Sequence, residues 1–274
     1  MDKCASSNQP RSTRLLLVSL VWLCLPPALV RAGCNLSPEE ASRIGRKIWN
    51  NECGGSIAGL TSWNAGENFA SLGIGHFIWY PAGQPGPFEE SFPKFLHFAI
   101  NRRADMPTWL QESESCPWNT RAEFLRVQNS AKIKELRAFL VRTVNLQTEF
   151  LVARLQGALP KMLDEAASDE RENIRRQFDR VASTANGCYA LVDYVNFKGE
   201  GTLSTERYHG EGWGLLQVLE RMRGDSSGPS AVEEFSDSAV VTLRQRVHNS
   251  PPERNESRWL PGWINRVKSY RANR

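Results

Sequence analysis

Apolar residues recur at spacings of three and four through most of the chain, the signature of amphipathic helices. In SPEEASRIGRKIWNNE (Ser37 to Glu52) the stripe is Ala41, Ile44, Ile48 and Trp49. Ser37 with Glu40 forms a capping-box pattern and Pro38 suits the first helical position. Gly54 and Gly55 stop the helix, because glycine enters the left-handed region cheaply. Phe92 to Arg103 reads as a second helix. From Thr120 to about Thr184 helix predominates, with breaks predicted near Ser130, Pro160 and Ser168. Tyr189 to Phe197 reads as a buried helix and about Ser230 to Val247 as another. A last aromatic helix, WLPGWINRVKSY, starts near Pro261. GLTSWN and NFASLGIGHF alternate as two short strands joined by a polar turn through Ala65, Gly66 and Glu67. The fold class is therefore mainly α (α+β), with one small β-hairpin.

Two segments break this regularity. Residues 77–93 form a Pro- and Gly-rich loop carrying Trp79, Tyr80, Phe88 and Phe92, aromatics that either face a ligand or pin the loop to the core. The segments GCYALVDYVNFKGEG and ERYHGEGWGLLQVLERM crowd glycines with Asn196, Lys198, Glu200, Glu206, Arg207, Tyr208, His209, Trp213 and Gln217. Two readings stand side by side: a buried polar network holding two helices together, or a cleft wall offering Tyr208 and Trp213 to a ligand. His97, isolated on its helix, reads as a surface or core-edge residue, and the charges of SDERENIRRQFDR as solvated helix faces.

The N-terminus alters the meaning of the charge. Lys3, Arg11 and Arg14 precede the apolar run Leu15 to Val30, which contains Pro26 and Pro27 and is short for a membrane span. Small residues follow, so residues 1–32 read as a secretory signal peptide cut after Ala32, and 33–274 as a single domain. Ala32-Gly33-Cys34 also resembles the end of a bacterial lipoprotein signal, which would tether the product to a membrane through Cys34; Arg31 departs from that signal. An exported location, periplasmic or secreted, is expected. Of 34 basic and 30 acidic residues, the segment removes Lys3, Arg11, Arg14, Arg31 and Asp2, leaving a net charge of +1. Nothing in that balance points to nucleic acid. Four cysteines remain, Cys34, Cys53, Cys116 and Cys188, enough for two disulfides in any of three pairings. No metal-ligand spacing and no cofactor motif is present, and a monomer is expected.

Glu52 is where the chemistry concentrates. It ends a helix, where the dipole disfavours negative charge, and apolar neighbours would push its pKa upward, as a general acid requires. Helix, Glu52, Gly54-Gly55, hairpin and then Ser71-Leu72-Gly73-Ile74-Gly75-His76 resembles the catalytic segment of phage-type lysozymes, and more broadly the lysozyme-like superfamily that includes lytic transglycosylases. The resemblance covers roughly residues 37–80. It implies a lysozyme-like helical domain with the hairpin at the active-site cleft, and peptidoglycan glycan strands as substrate. Glu52 would be the acid protonating the glycosidic oxygen. Glu67, nine residues before His76, stands near the second carboxylate, with Glu in place of Asp, and Ser71 stands where Thr is usual. Trp63, Ser71, His76, Tyr208 and Trp213 are the candidate substrate contacts. If Glu67 lies about 6.5–9.5 Å from Glu52, inverting hydrolysis follows; if not, Glu52 acts as acid and then base, giving an anhydro product. No G-x-S-x-G and no protease-like cysteine context compete. The alternative is a non-catalytic peptidoglycan-binding or cell-wall assembly protein, since fold does not settle function.

Overall fold

A computed structural model describes Met1 and residues 33–271; the signal-peptide reading of residues 1–32 lies outside the described residues. The body is mainly helical with small antiparallel sheets, and none of its described helices is long and apolar enough to cross a membrane. α1 (Pro38–Cys53) begins with the predicted capping box: Ser37 Oγ accepts from the Glu40 amide and Glu40 accepts from the Ser37 amide. It ends at Gly54, whose φ of 58° fits the left-handed cap. Buried Ala41, Ile44 and Ile48 form its inner face.

Three strands follow, β1 (Thr61–Ser62), β2 (Ala70–Leu72) and β3 (Phe77–Trp79), in the order β1-β2-β3 and antiparallel throughout. The single strand expected over NFASLGIGHF is thus two, folded back at Gly73-Ile74-Gly75-His76. Gly73 (φ 72°) and His76 (φ 48°) both adopt left-handed backbone there, which ends a strand. The rest of the chain supplies α2 (Phe92–Asn101), α3 (Thr108–Gln111), α4 (Arg121–Arg126), α5 (Ala131–Arg142), α6 (Val144–Glu165), α7 (Arg171–Ala182) and α8 (Ala185–Lys198). After these come a second hairpin, β4 (Arg207–Tyr208) and β5 (Glu211–Gly212), then α9 (Leu215–Arg221), α10 (Pro229–Asn249) and α11 (Leu260–Lys268). Of the breaks predicted between 120 and 184, those near Ser130 and Ser168 are present. Pro160 makes none and lies inside α6. Pro160 and Gln156 are both exposed, so water can satisfy the carbonyl that loses its amide partner.

α1 packs against α6 and α8. At Gly45 a Cβ would come within 2.5 Å of Thr148 Oγ1, so glycine is what lets α1 and α6 approach so closely. The sheet and α2 share an aromatic core in which Phe77 stacks on Phe95 with centroids 5.3 Å apart and Trp79 meets Phe92 at 4.8 Å. Trp79, Tyr80 and Phe92 of the long loop are therefore core residues, and only Phe88 is exposed. The irregular segment before α4 is held to this loop through backbone, Cys116 N–H donating to the Tyr80 carbonyl at 3.0 Å.

Only one of the two disulfides the cysteine count allows is formed: Cys34 pairs with Cys188, while Cys53 and Cys116 are buried free thiols. Burial pushes both thiols up to about 12, so neither is a reactive thiolate at neutral pH. The bond leaves Cys34 no sulfur for a thioether, which corrects the expectation of a lipid tether at that residue. A disulfide fits an oxidising compartment. It ties the entry of α1 to α8 across 154 residues. Replacing Cys188 by Ser is expected to cost about 2–4 kcal/mol in urea unfolding, with the fold retained; an unchanged midpoint would refute a stabilising role.

Candidate active site

Glu52 occupies the last turn of α1, which α1's packing against α6 and α8 and the Cys34–Cys188 bond hold in place. Its side chain is 14 % exposed. The apolar surroundings expected for it are not what it meets. Arg266 of α11 donates to Oε1, Asn196 of α8 donates to the same oxygen at 3.4 Å, and His76 Nδ1 lies 3.6 Å from Oε2. The two carboxyl oxygens are thereby made unequal. Oε1 is anchored by a guanidinium, and Oε2 faces only the imidazole.

Arg266 is itself held from behind. Asp193, fully buried on α8, accepts from Arg266 Nε and Nη2 at 2.8 Å each, from the Tyr270 hydroxyl at 2.6 Å and from Asn51 at 3.2 Å. Burial alone would lower the guanidinium's pKa, but the hydrogen bonds and charge of Asp193, with the charge of Glu52, raise it, so Arg266 is a permanent cation. Burial, then the Asp193 charge, pushes the Tyr189 phenol up to about 12. This leaves it neutral and able to accept from Asn51 at 2.7 Å.

The turn bearing His76 is fixed from α6. The Ile74 amide donates to Gln147 Oε1 at 2.8 Å, and fully buried Gln147 donates in turn to the Leu140 carbonyl at 2.7 Å. A Cβ on Gly73 would stand 2.4 Å from that Gln147 oxygen, so the glycine is required by contact as well as by φ. Gln147, Asp193 and Arg266 were all missed by sequence reasoning. Gln147 and Asp193 were polar positions inside apolar helical stripes, a signal that was present; Arg266 was one charge among many.

Among the proposed substrate contacts, His76 is brought to Glu52 and the others divide. Ser71 is buried in β2, paired across the sheet with Ile78. Trp63 is 4 % exposed, its ring 5.8 Å from Phe124 and its Nε1 donating to the Glu67 carbonyl at 2.8 Å. It is a core residue of the hairpin, with no ring face free for sugar. Half-buried Glu67 accepts from Asn64 at 3.1 Å, and its charge adds to the burial that raises the Tyr80 phenol.

Tyr208 and Trp213 meet at a 49° tilt with centroids 4.5 Å apart, but Trp213 is 6 % exposed beneath Arg246, whose guanidinium lies 4.1 Å from its ring centre. The Tyr208 hydroxyl donates to Glu256, which also accepts from Arg246 at 2.8 Å. Glu206 accepts from the Gly201 amide and Gln217 spans Gly214 and Gly201, so the polar network reading of this glycine-rich segment is the one realised for them.

Lys198 lies inside this network. Its ammonium nitrogen is 3.9 Å from the centre of the Phe197 ring and 3.2 Å from that of Trp263. Burial, with Arg246 and Arg266 nearby, pushes its amine down to about 6. A lysine with a lowered folded value binds fewer protons folded than unfolded, so wild-type stability should climb with pH across the window from about 6 to 10.5. Lys198→Met is expected to be more stable than wild type at pH 7, the gap closing toward pH 9 by at most about 1.4 kcal/mol per unit. Urea melts of both proteins at the two pH values check this; parallel curves would contradict it.

No family model matches this chain, and no curated protein or solved structure matches it either. Among the described residues no His, Cys, Asp or Glu cluster could hold a metal.

Proposed function

We propose that the protein is an exported enzyme that cleaves peptidoglycan glycan strands, with a lysozyme-like helical body and Glu52 as its general acid. The observation that carries this reading is the division of labour at the Glu52 carboxyl. Arg266 and Asn196 hold Oε1, leaving Oε2 as the oxygen that can carry a proton to a glycosidic bond, with His76 Nδ1 3.6 Å away to exchange it. The helix-Glu-hairpin-Gly-Ile-Gly-His order that resembles the lysozyme-like superfamily supports it independently.

Glu67 is bonded to Asn64 and Asp193 is enclosed by Arg266, Tyr270 and Asn51. With both carboxylates occupied, the reading assigns acid and then base to Glu52 alone. The 6-hydroxyl of the muramyl sugar would then attack its own anomeric carbon, its proton passing to Glu52 and the leaving oxygen taking the proton Glu52 first held, to give a 1,6-anhydro product.

The test is digestion of purified sacculi by wild type and Glu52→Gln, with products read by mass spectrometry. Anhydro-muropeptides from wild type alone support the reading. Reducing ends would replace it with hydrolysis. The Glu52–Arg266 pair favours one other reading, a non-catalytic peptidoglycan-binding or cell-wall assembly protein in which the pair simply docks α11. Retention on sacculi with no product from either protein would select it.

A further inference from the structure

Trp259, Trp263 and Arg266 fall on one stripe of α11, at spacings of four and three. Arg266 reaches Glu52. One turn back, half-buried Trp263 meets Phe197 edge-on with centroids 6.3 Å apart. Another turn back, Trp259 stacks on Trp263 at 6.2 Å and 29°, with 45 % of its surface exposed. The stripe thus runs about 10 Å along the helix axis from Arg266, which bonds the carboxyl, to an open indole. A surface tryptophan backed by a second tryptophan costs exposed apolar area that an ordinary solvated helix start avoids.

The charges beside these rings are unequal in sign. Arg266 is matched by Asp193 and Glu52, and Arg246 by Glu256. Two cations remain. Exposed Arg258, whose guanidinium lies 4.2 Å from the Trp259 centre, has no carboxylate within salt-bridge reach among the described residues. Arg254 is 4.0 Å from Glu256, a carboxylate already bonded by Arg246 and Tyr208. Flat ring faces bordered by unmatched cations suit a ligand that combines sugar rings with carboxylates.

We propose that the Trp259–Trp263 face, with Arg258, is a binding subsite for a carboxylated glycan strand entering toward Glu52. The choice of a glycan as occupant rests on the function proposed for Glu52. Sugar rings lie against the exposed indole of Trp259, displacing the mobile end of Arg258 from its face, and the strand's carboxylates pair with the freed guanidinium. Single-stranded nucleic acid, the other ligand that stacks on aromatics, is less well served: Glu253 and Glu256 lie in the two successive turns that lead into α11, and no basic tract continues the path.

The test measures binding by Glu52→Gln, which keeps the ligand intact, using glycan strands freed of peptide so that the muramyl carboxylates are bare. Trp259→Ala and Arg258→Ala, both at exposed positions, are each expected to weaken binding about tenfold. Strands with their carboxylates converted to methylamides should bind about tenfold more weakly and no longer respond to Arg258→Ala. Unchanged affinity in both variants overturns the subsite, as does tighter Trp259-dependent binding of a single-stranded oligonucleotide. Cleavage by wild type is scored separately. Trp259-dependent binding without any cleavage would uphold the subsite and refute the role of Glu52, and cleavage with unchanged affinity and KM in Trp259→Ala would do the reverse.

Discussion

Glu52→Gln is expected to lower the rate of glycan cleavage about a thousandfold, within the range set by loss of a positioned general acid, while leaving the fold and the affinity for glycan intact. The substitution is nearly isosteric. The glutamine carbonyl can still accept from Arg266 and Asn196, which both bond Oε1, so α11 stays docked. What disappears is the carboxyl oxygen proposed to deliver the proton, since an amide cannot deliver one at neutral pH. Circular dichroism and a urea melt should resemble wild type, and initial rates on sacculi should not. A variant that cleaves within tenfold of wild type would remove Glu52 from the chemistry.

Asp193→Asn is expected to destabilise the protein by about 3–5 kcal/mol, the usual cost of leaving a buried charge without its partner. Asp193 takes both hydrogen bonds of the Arg266 fork and the Tyr270 hydroxyl with no exposure to water. The asparagine supplies one acceptor oxygen where two are used and places an NH2 against a guanidinium. Arg266 then has Glu52 as its single counter-charge. For a chain of this size the loss corresponds to roughly 10 °C in melting temperature. A shift below about 2 °C would mean that Arg266 finds another partner and that Asp193 is not its anchor.

Much of the fold was legible because its signals are local. Ser37, Glu40, Pro38 and Gly54 mark the ends of α1 through backbone chemistry that needs no tertiary partner. The reversal at Gly73 to His76 was not legible, because a run of alternating apolar residues looks the same whether it continues straight or folds back. The tight contact from Gln147 that accompanies it comes from 73 positions away. The site divides the same way. Glu52 could be singled out from its place before two glycines, and His76 from the Gly-Ile-Gly-His order that resembles the lysozyme-like superfamily. The role of Arg266 depends on a contact spanning 214 positions, which leaves no periodicity behind. Trp63 and Trp213 were misjudged for a related reason: an aromatic residue in a short polar or glycine-rich segment has the same sequence whether its ring points at solvent or, as here, at the core. Tyr208 lies between these cases, half-buried with its hydroxyl on Glu256.

Glu52 and Arg266 are also far apart in time. A chain emerging from its N-terminus presents α1 early, but the cation that holds Oε1 arrives 214 residues later, and the disulfide that clamps the entry of α1 waits for Cys188 and for an oxidant. Until then only His76 and Asn196 are available to its carboxyl. Contacts of such long sequence separation form late in folding. On the function proposed for Glu52, the acid would acquire its geometry only after nearly all of the chain is in place.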